Sequence, residues 1–310
     1  MAVDTASTSE QPERSVIRER LRVDGFKLFW GAPLMVWQAA FFLAALVFLV
    51  LMSFWVVENF LLTRVYTVSN WTELLTSGLF HQVYVRTFVY AAVAAVAATV
   101  LAFPFAYALA FRVSPAARRL ALMLLITPFF TNYVLRSYSW QVILADNGIL
   151  NNALAELGVG SIRLLGTPFA TGIGYLTYFF PLVTILLLLS LVNVDRDLVE
   201  AANNLGAGRL RSIFTVVIPS AKIGIVFAVG FAFILAFGDF IAPSLLGSQN
   251  AVTLSILINS NIKSGADFPE AATVALVMVV TLLVVVFAIF RIAFPPRKEA
   301  RAPQQEELAL

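Results

Sequence analysis

The residue types that usually carry catalysis or bind metals are scarce in this chain. It has no cysteine and a single histidine, His81, which excludes thiolate sites, histidine-cluster metal sites and a two-histidine zinc motif. An enzyme acting within a membrane would need paired carboxylates, a serine–histidine dyad or metal ligands inside apolar segments, and Asp239 is the acid that comes nearest to such a position. The phosphate-binding pattern Gly-x-x-x-x-Gly-Lys-Ser/Thr does not occur either. We therefore predict no metal site and no catalysis by this chain alone.

Polar and charged residues are instead concentrated in one stretch between two long apolar segments, residues 195–219. Asp195 can cap a helix that begins at the next residue, and Gly206 stands where a left-handed turn would end that helix. Three apolar residues fall at i, i+4 and i+7 on one helical face: Leu198, Ala202 and Leu205. The pattern predicts a short amphipathic helix followed by a glycine hinge.

The second half of this stretch has a helical pattern of its own. Its apolar residues at i, i+3, i+4 and i+7 are Leu210, Ile213, Phe214 and Val217. We expect this second helix to lie on the membrane or on the helix bundle, with Pro219 in the first turn of the next apolar segment. By pattern alone, an amphipathic connector explains the stretch as well as a docking site for another protein does.

The elements that must position this stretch are membrane spans. Of the 310 residues, 60% are hydrophobic and 13% are charged, and the mean hydropathy is +0.87, whereas a soluble domain is nearer half apolar and a quarter charged. Six apolar segments are long enough, or nearly so, to cross hydrocarbon as helices. They cover residues 34–57, 87–111, 119–138, 168–192, 220–240 and 271–291. We predict an all-α membrane protein with six transmembrane helices and a transmembrane domain over residues 33–293.

The distribution of lysine and arginine sets the predicted orientation. Six spans leave both termini on one side, and that side, with the tails 1–32 and 294–310, carries 16 of the 21 positive residues. Because positive residues accumulate on the cytoplasmic side, we place both termini and residues 195–219 in the cytoplasm. Residues 240–262 are uncharged but interrupted by proline and glycine. A seventh span there would break the charge bias, so we interpret them as a re-entrant or extracytoplasmic segment.

Two charged residues mark the outer ends of predicted spans: Arg136 ends span three and Asp239 ends span five. A helix of about 16 residues rises about 25 Å, close to the hydrocarbon thickness, so we expect both charges near the outer mouth. Three interpretations are open. The two pair with each other or with other charges to fix an outer gate, they contact an extracytoplasmic partner, or Asp239 attracts a cationic solute.

Aromatic and polar residues around these charges are candidates for the same gate or path. Tyr138 and Trp140 could offer cation–π faces, although aromatic residues near an interface also belong to the membrane belt. Further candidates in spans three and four are Asn132, Tyr133, Tyr175, Thr177 and Tyr178. A hydrogen bond between helices is the alternative role for each of them.

The spacing of residues 200–219 resembles a known motif. The segment Glu200-Ala201-Ala202, followed by Gly206 and Pro219, looks like the Glu-Ala-Ala loop of bacterial ATP-binding-cassette (ABC) importer permeases. Val216 and Ile218 are conservative departures from the family pattern, which ends Ile-x-Leu-Pro. Residues 136–151 and 237–247 are similar to the first permease of the spermidine/putrescine-type importers, and the resemblance covers residues 30–293.

The resemblance implies a type I ABC importer permease in the bacterial inner membrane. Leu198, Ala202 and Leu205 would fill an apolar groove on an ATPase subunit, and Glu200 would meet a basic residue there. The implied partners are a second permease or a second copy of this chain, an ATPase dimer that binds ATP and magnesium, and an extracytoplasmic solute-binding protein. No nucleic acid and no cofactor bound by this chain are expected. The implied solute is a polyamine; an opine, an amino-acid derivative or ferric iron is the alternative, and an ATP-independent channel or secondary carrier is the competing class.

Overall fold

The computed structural model describes residues 30–58, 61–158, 160–247 and 251–295. The predicted tails lie outside these ranges except for residues 30–32 and 294–295. The described chain is helical apart from its loops and one antiparallel hairpin, in which β1 (Val56–Glu58) pairs with β2 (Leu61–Thr63).

The helices fall into long apolar ones and short connecting ones. In the first half of the chain they are α1 (Trp30–Met52), α2 (Ser69–Thr76), α3 (Gly78–Phe111), α4 (Pro115–Ile126, continued by a 3-10 turn at Thr127–Phe130), α5 (Tyr133–Leu144) and α6 (Ile149–Glu156). In the second half they are α7 (Pro168–Val192), α8 (Arg196–Asn204), α9 (Arg209–Ser220), α10 (Lys222–Gly238), α11 (Ile241–Leu246), α12 (Leu254–Ser264) and α13 (Phe268–Ala293).

Four of the described helices are long and apolar enough to cross a membrane alone, namely α1, α3, α7 and α13. Two further spans are possible if each of two bent helix pairs counts as one. The number of candidate spans is thus four to six, and the four long helices overlap four of the six predicted segments.

The first predicted span ends earlier than expected. Residues 34–57 were predicted as one helix, but α1 ends at Met52 and the chain then enters the hairpin. The Asn70 side chain holds this turn by donating to the carbonyls of Ser53 and Trp55. Val56 and Val57 are as apolar as the helix, so composition assigns them to the span. Valine favours strands, however, and both residues lie in β1.

The third predicted span, residues 119–138, is divided between two helices. The chain bends by 90° between Pro115–Phe130 and Tyr133–Glu156, so the prediction of one continuous helix is corrected. Asn132 starts the new helix, since its side-chain oxygen accepts a hydrogen bond from the Val134 amide at 2.8 Å. Arg136 therefore lies in the first turns of α5 and not at the end of a span.

The bundle core is built where α3 packs along α7 and α10. The buried face of α3 consists of small residues, which let helices approach closely without a hydrophobic driving force. They include Ala91, Ala95, Ala98, Ala102 and Ala106, none more than 1% exposed. By contrast, α1 has no buried residue in its apolar window.

Candidate functional site

The stretch 195–219, called the coupling loop below, begins with the predicted helix. The Asp195 carboxylate accepts a hydrogen bond from the Asp197 amide at 3.0 Å and caps α8. At the other end Gly206 adopts a left-handed conformation, with φ of +82°. The amide of Ala207 donates to the Ala202 carbonyl and that of Gly206 donates to the Asn203 carbonyl, both at 3.0 Å. These bonds define a Schellman turn, so the predicted cap and glycine hinge are both present.

One side of α8 packs on the protein and the other is exposed. Val199 packs against the core, and the Asn203 side chain accepts a hydrogen bond from the Ser212 hydroxyl at 2.8 Å. On the outer side, Leu198 is 52% exposed and Leu205 is 90% exposed. Glu200 and Ala201 are also exposed, whereas Ala202 is half-buried. An exposed apolar face beside a carboxylate is what a helix offers when its partner is another protein.

The second helix of the coupling loop differs from the prediction. Leu210 and Phe214 are exposed, but Ile213 is half-buried and Val217 is fully buried, so the four do not form one face. The reason is a π-helical turn at Ile213–Val217, which adds a residue to one turn and rotates the residues after it.

Pro219 also lies elsewhere than predicted. It belongs to the last turn of α9, and α10 begins after a 77° bend at Ala221. At the bend the Ala221 carbonyl accepts two hydrogen bonds, one from the Ile225 amide at 3.0 Å and one from the Ser190 hydroxyl of α7 at 3.2 Å. Pro219 therefore ends the coupling loop and does not open the next span.

A cavity of about 400 Å³ separates the coupling loop from the end of α3. Three arginines and one glutamate are among the residues that line it. The full lining is Tyr107, Phe111, Arg112, Arg196, Val199, Glu200, Asn203, Arg209 and Ser212. Sequence reasoning did not single out Arg196, which donates to the Ala110 carbonyl at 3.0 Å. Arginine is favoured at the carboxyl end of a helix, but only the fold shows that Arg196 lies at the end of a helix 86 residues earlier in the chain.

The two outer charges have separate partners. Asp239 accepts hydrogen bonds from the Tyr133 hydroxyl at 2.9 Å and from the amides of Ala242 and Ile241 at 3.0 and 3.3 Å. Arg136 donates to main-chain carbonyls, including that of Thr177 at 3.1 Å. Within the described chain no ion pair joins Arg136 to Asp239, so direct pairing of the two, which belonged to one of the three open interpretations, is not observed.

The other predicted outer residues divide into two groups. Tyr178 stacks on Tyr133 with ring centroids 4.4 Å apart, and the Tyr133 hydroxyl donates to Asp239. Asn132 caps α5, Tyr138 is 49% exposed, and Trp140 packs into a separate small cluster around Leu144 and Leu246. The structure therefore assembles Tyr133, Tyr178 and Asp239, called the outer cluster below, and leaves Tyr138 and Trp140 outside it.

These features define a class of protein. The chain has long apolar helices around a core of small residues, with polar clusters between them. A connecting loop carries an exposed amphipathic helix. This combination is typical of the membrane subunit of a transport complex. The chain belongs to the family described as "Binding-protein-dependent transport system inner membrane component", which matches residues 75–299.

Relatives with similar sequences agree with this family. The chain is 33% identical over 227 residues to the spermidine/putrescine transport system permease protein PotB of Escherichia coli (strain K12), which covers 72% of this chain and 82% of that protein. It is 29% identical, over 73% of this chain and 79% of the relative, to PotB of Haemophilus influenzae. It is 25% identical to the inner membrane ABC transporter permease protein YdcU of Escherichia coli, over 83% and 86% of the two chains.

Solved structures have the same fold. A chain from a bacterial ABC transporter involved in the import of the acidic polysaccharide alginate superposes with a TM-score of 0.73 at 17% identity, covering 89% of this chain and 98% of that one. The alginate transporter in complex with an alginate pentasaccharide-bound periplasmic protein gives a TM-score of 0.65 at 18% identity, covering 90% and 96%. The protein has the type I ABC importer permease fold, and it is an inner-membrane transport component rather than an enzyme.

Proposed function

We propose that this chain forms the translocation path of an ATP-driven importer of polyamines. The observation that carries the proposal is the 33% identity to a spermidine/putrescine permease across 72% of the chain. The Glu200-Ala201-Ala202 segment on α8, in which Glu200 and Ala201 are exposed, adds support, because a channel or secondary carrier has no use for an ATPase docking helix.

The proposed topology has six spans with both termini in the cytoplasm. It takes one span from each of the two bent helix pairs, which brings the four long helices to six. The positive-residue bias then places the coupling loop in the cytoplasm, where an ATPase is found. The tails 1–32 and 294–310 are cytoplasmic in this arrangement.

In the proposed mechanism the ATPase subunit receives α8. Leu198 and Leu205 enter an apolar groove, Glu200 meets a basic residue, and ATP and magnesium remain on the ATPase. Gly206 and Pro219 bound the second helix, which passes the movement to α10. Docking with equal affinity would not shift the equilibrium between the inward-open and outward-open states, so the two states must bind the ATPase with different affinities.

Further partners complete the proposed importer. A second permease subunit, in a heterodimer, would form the other half of the path, and an extracytoplasmic solute-binding protein would deliver the solute. The family description names dependence on a binding protein. In the outer cluster Asp239 provides a carboxylate that accepts a hydrogen bond from the Tyr133 hydroxyl, and the Tyr178 ring stacks on Tyr133. A carboxylate attracts an ammonium group, and aromatic rings nearby offer such a cation further contacts.

Uptake of radiolabelled spermidine by proteoliposomes tests the proposal. The liposomes contain this chain with its ATPase, second permease and binding protein. We expect ATP-dependent uptake, a loss of about 100-fold for Glu200→Arg, since like charges at an interface cost several kcal/mol, and a smaller loss for Glu200→Gln. Membrane insertion should persist in both variants. Normal uptake by Glu200→Arg would refute the docking role, and a binding protein that prefers an anion such as sulfate would refute the polyamine.

A further inference from the structure

Two arginines from different parts of the chain bind the last carbonyls of α3. The Arg118 guanidinium donates to the carbonyls of Leu109 at 2.6 Å and Ala110 at 2.8 Å. The Arg196 guanidinium donates to the same Ala110 carbonyl at 3.0 Å. The last four carbonyls of a helix have no partner within it, and the helix dipole makes that end negative. Both guanidinium groups thus meet α3 where its own hydrogen bonds end.

These two arginines connect different elements. Arg118 lies in α4, so its bonds close the turn between two consecutive helices. Arg196 is the first residue of α8, and its guanidinium also lies over the Phe111 ring, 5.9 Å from the ring centroid. The contact made by Arg196 is therefore tertiary, between the coupling loop and a membrane-length helix.

The attachment matters because α3 is not continuous with the coupling loop. The chain leads directly from α7 into α8 and from α9 into α10, so α7 and α10 follow any movement of the loop. By contrast, α3 packs along both of them and is joined to the loop by the Arg196 side chain. A planar guanidinium that binds a carbonyl and covers a ring fixes direction as well as distance.

We propose that Arg196 is a positioning residue that makes α3 move together with the coupling loop. This inference rests on the proposed function above, and it adds a third helix to the two that the chain itself connects. Without Arg196, the ATPase still docks and hydrolyses ATP, but α7 and α10 move against a stationary end of α3. The importer then transports less solute for each ATP that is hydrolysed.

The test compares uptake with ATP hydrolysis in the reconstituted complex. For Arg196→Gln we expect uptake to fall about tenfold, which corresponds to about 1.4 kcal/mol and is within reach of one hydrogen bond to a charged group. Hydrolysis and co-purification of the ATPase are retained. Arg196→Lys keeps the charge without the planar fork and should give an intermediate ratio. Arg119→Gln removes an exposed arginine of α4 and should leave the ratio unchanged.

Two results would overturn the inference. Equal loss of uptake and hydrolysis in Arg196→Gln would make Arg196 a merely structural residue, and uptake and hydrolysis that both stay at wild-type rates would remove its role altogether. If Arg196→Gln does not assemble, Phe111→Leu decides, because it removes the ring under the guanidinium and should lower the same ratio more mildly. Absence of ATP-dependent uptake in the wild-type complex would instead refute the proposed function, so the two failures are distinguishable.

Discussion

Gly206 offers the sharpest test of how the coupling loop is built. Its φ of +82° lies in the left-handed region, and an added Cβ would meet nothing within 4 Å. A substitution there changes the backbone preference without creating a clash. An L-residue in the left-handed conformation costs about 1–2 kcal/mol, and asparagine tolerates it better than other residues do.

We therefore expect a graded series at Gly206. Asparagine should be nearly neutral, alanine should cost about 1–2 kcal/mol, and valine should cost more because it is β-branched. A cost of 1–2 kcal/mol corresponds to an increase of about 5- to 30-fold in the local opening equilibrium. The affected bonds are those from the amides of Gly206 and Ala207 that close the end of α8.

Hydrogen exchange of the peptide containing α8 and its turn measures this equilibrium, and uptake measures its consequence. Gly208→Ser is the matched control, because Gly208 also has open space around it but has φ of −64° at the start of α9, where serine is favoured. Exchange should be faster in Gly206→Ala and unchanged or slower in Gly208→Ser. If the hydrogen-exchange rates of the two variants are the same, the left-handed turn at Gly206 does not stabilise the end of α8, and the prediction is wrong.

The helix contacts of the bundle give two further predictions. An added Cβ at Gly174 would lie 2.7–2.8 Å from side-chain atoms of α11, so Gly174→Ala should lower the free energy of unfolding in mixed micelles by about 1–3 kcal/mol. Gly172 has open space around it, so Gly172→Ala should not lower this free energy. Equal effects of the two substitutions would contradict the close packing at Gly174. Thr87→Val should cost about 1–3 kcal/mol, because it leaves the buried Leu254 amide without its acceptor. Thr99→Val, which loses a bond within its own helix, should cost less, and the opposite order would refute the role of the Thr87 hydroxyl.

Local chemistry was predictable where the residues that decide it are close in sequence. Asp195 and Gly206 delimit α8 through a cap and a turn that each involve neighbouring residues, and both were predicted. Helical spacing predicted that Leu198, Ala202 and Leu205 share one face, but it could not predict that Leu198 and Leu205 are exposed while Ala202 is half-buried. The same reasoning failed for Val217, because a π-helical turn changes the period on which the pattern depends.

Longer-range features were beyond sequence reasoning for a physical reason. Composition indicates whether a segment can enter a membrane but not whether it is straight, so residues 119–138 looked like one helix although the chain bends by 90° within them. Pairing of Arg136 with Asp239 was one open interpretation because both are isolated charges. In the fold the two have separate hydrogen-bond partners, and the partners that are distant in sequence could not be read from it.

The coupling loop and the outer cluster stand at opposite ends of one helix. The 17 residues of α10 rise about 25 Å, from the bend after Pro219 to Asp239. Asp239 in turn accepts a hydrogen bond from Tyr133 of α5, which begins just beyond the other sharp bend. A tilt of α10 driven from the loop must therefore either carry α5 with it or break the Tyr133–Asp239 bond. One bend lies directly before Tyr133, and the other lies at the far end of α10 from Asp239, so a movement driven from the loop would act on the Tyr133–Asp239 bond through the full length of α10.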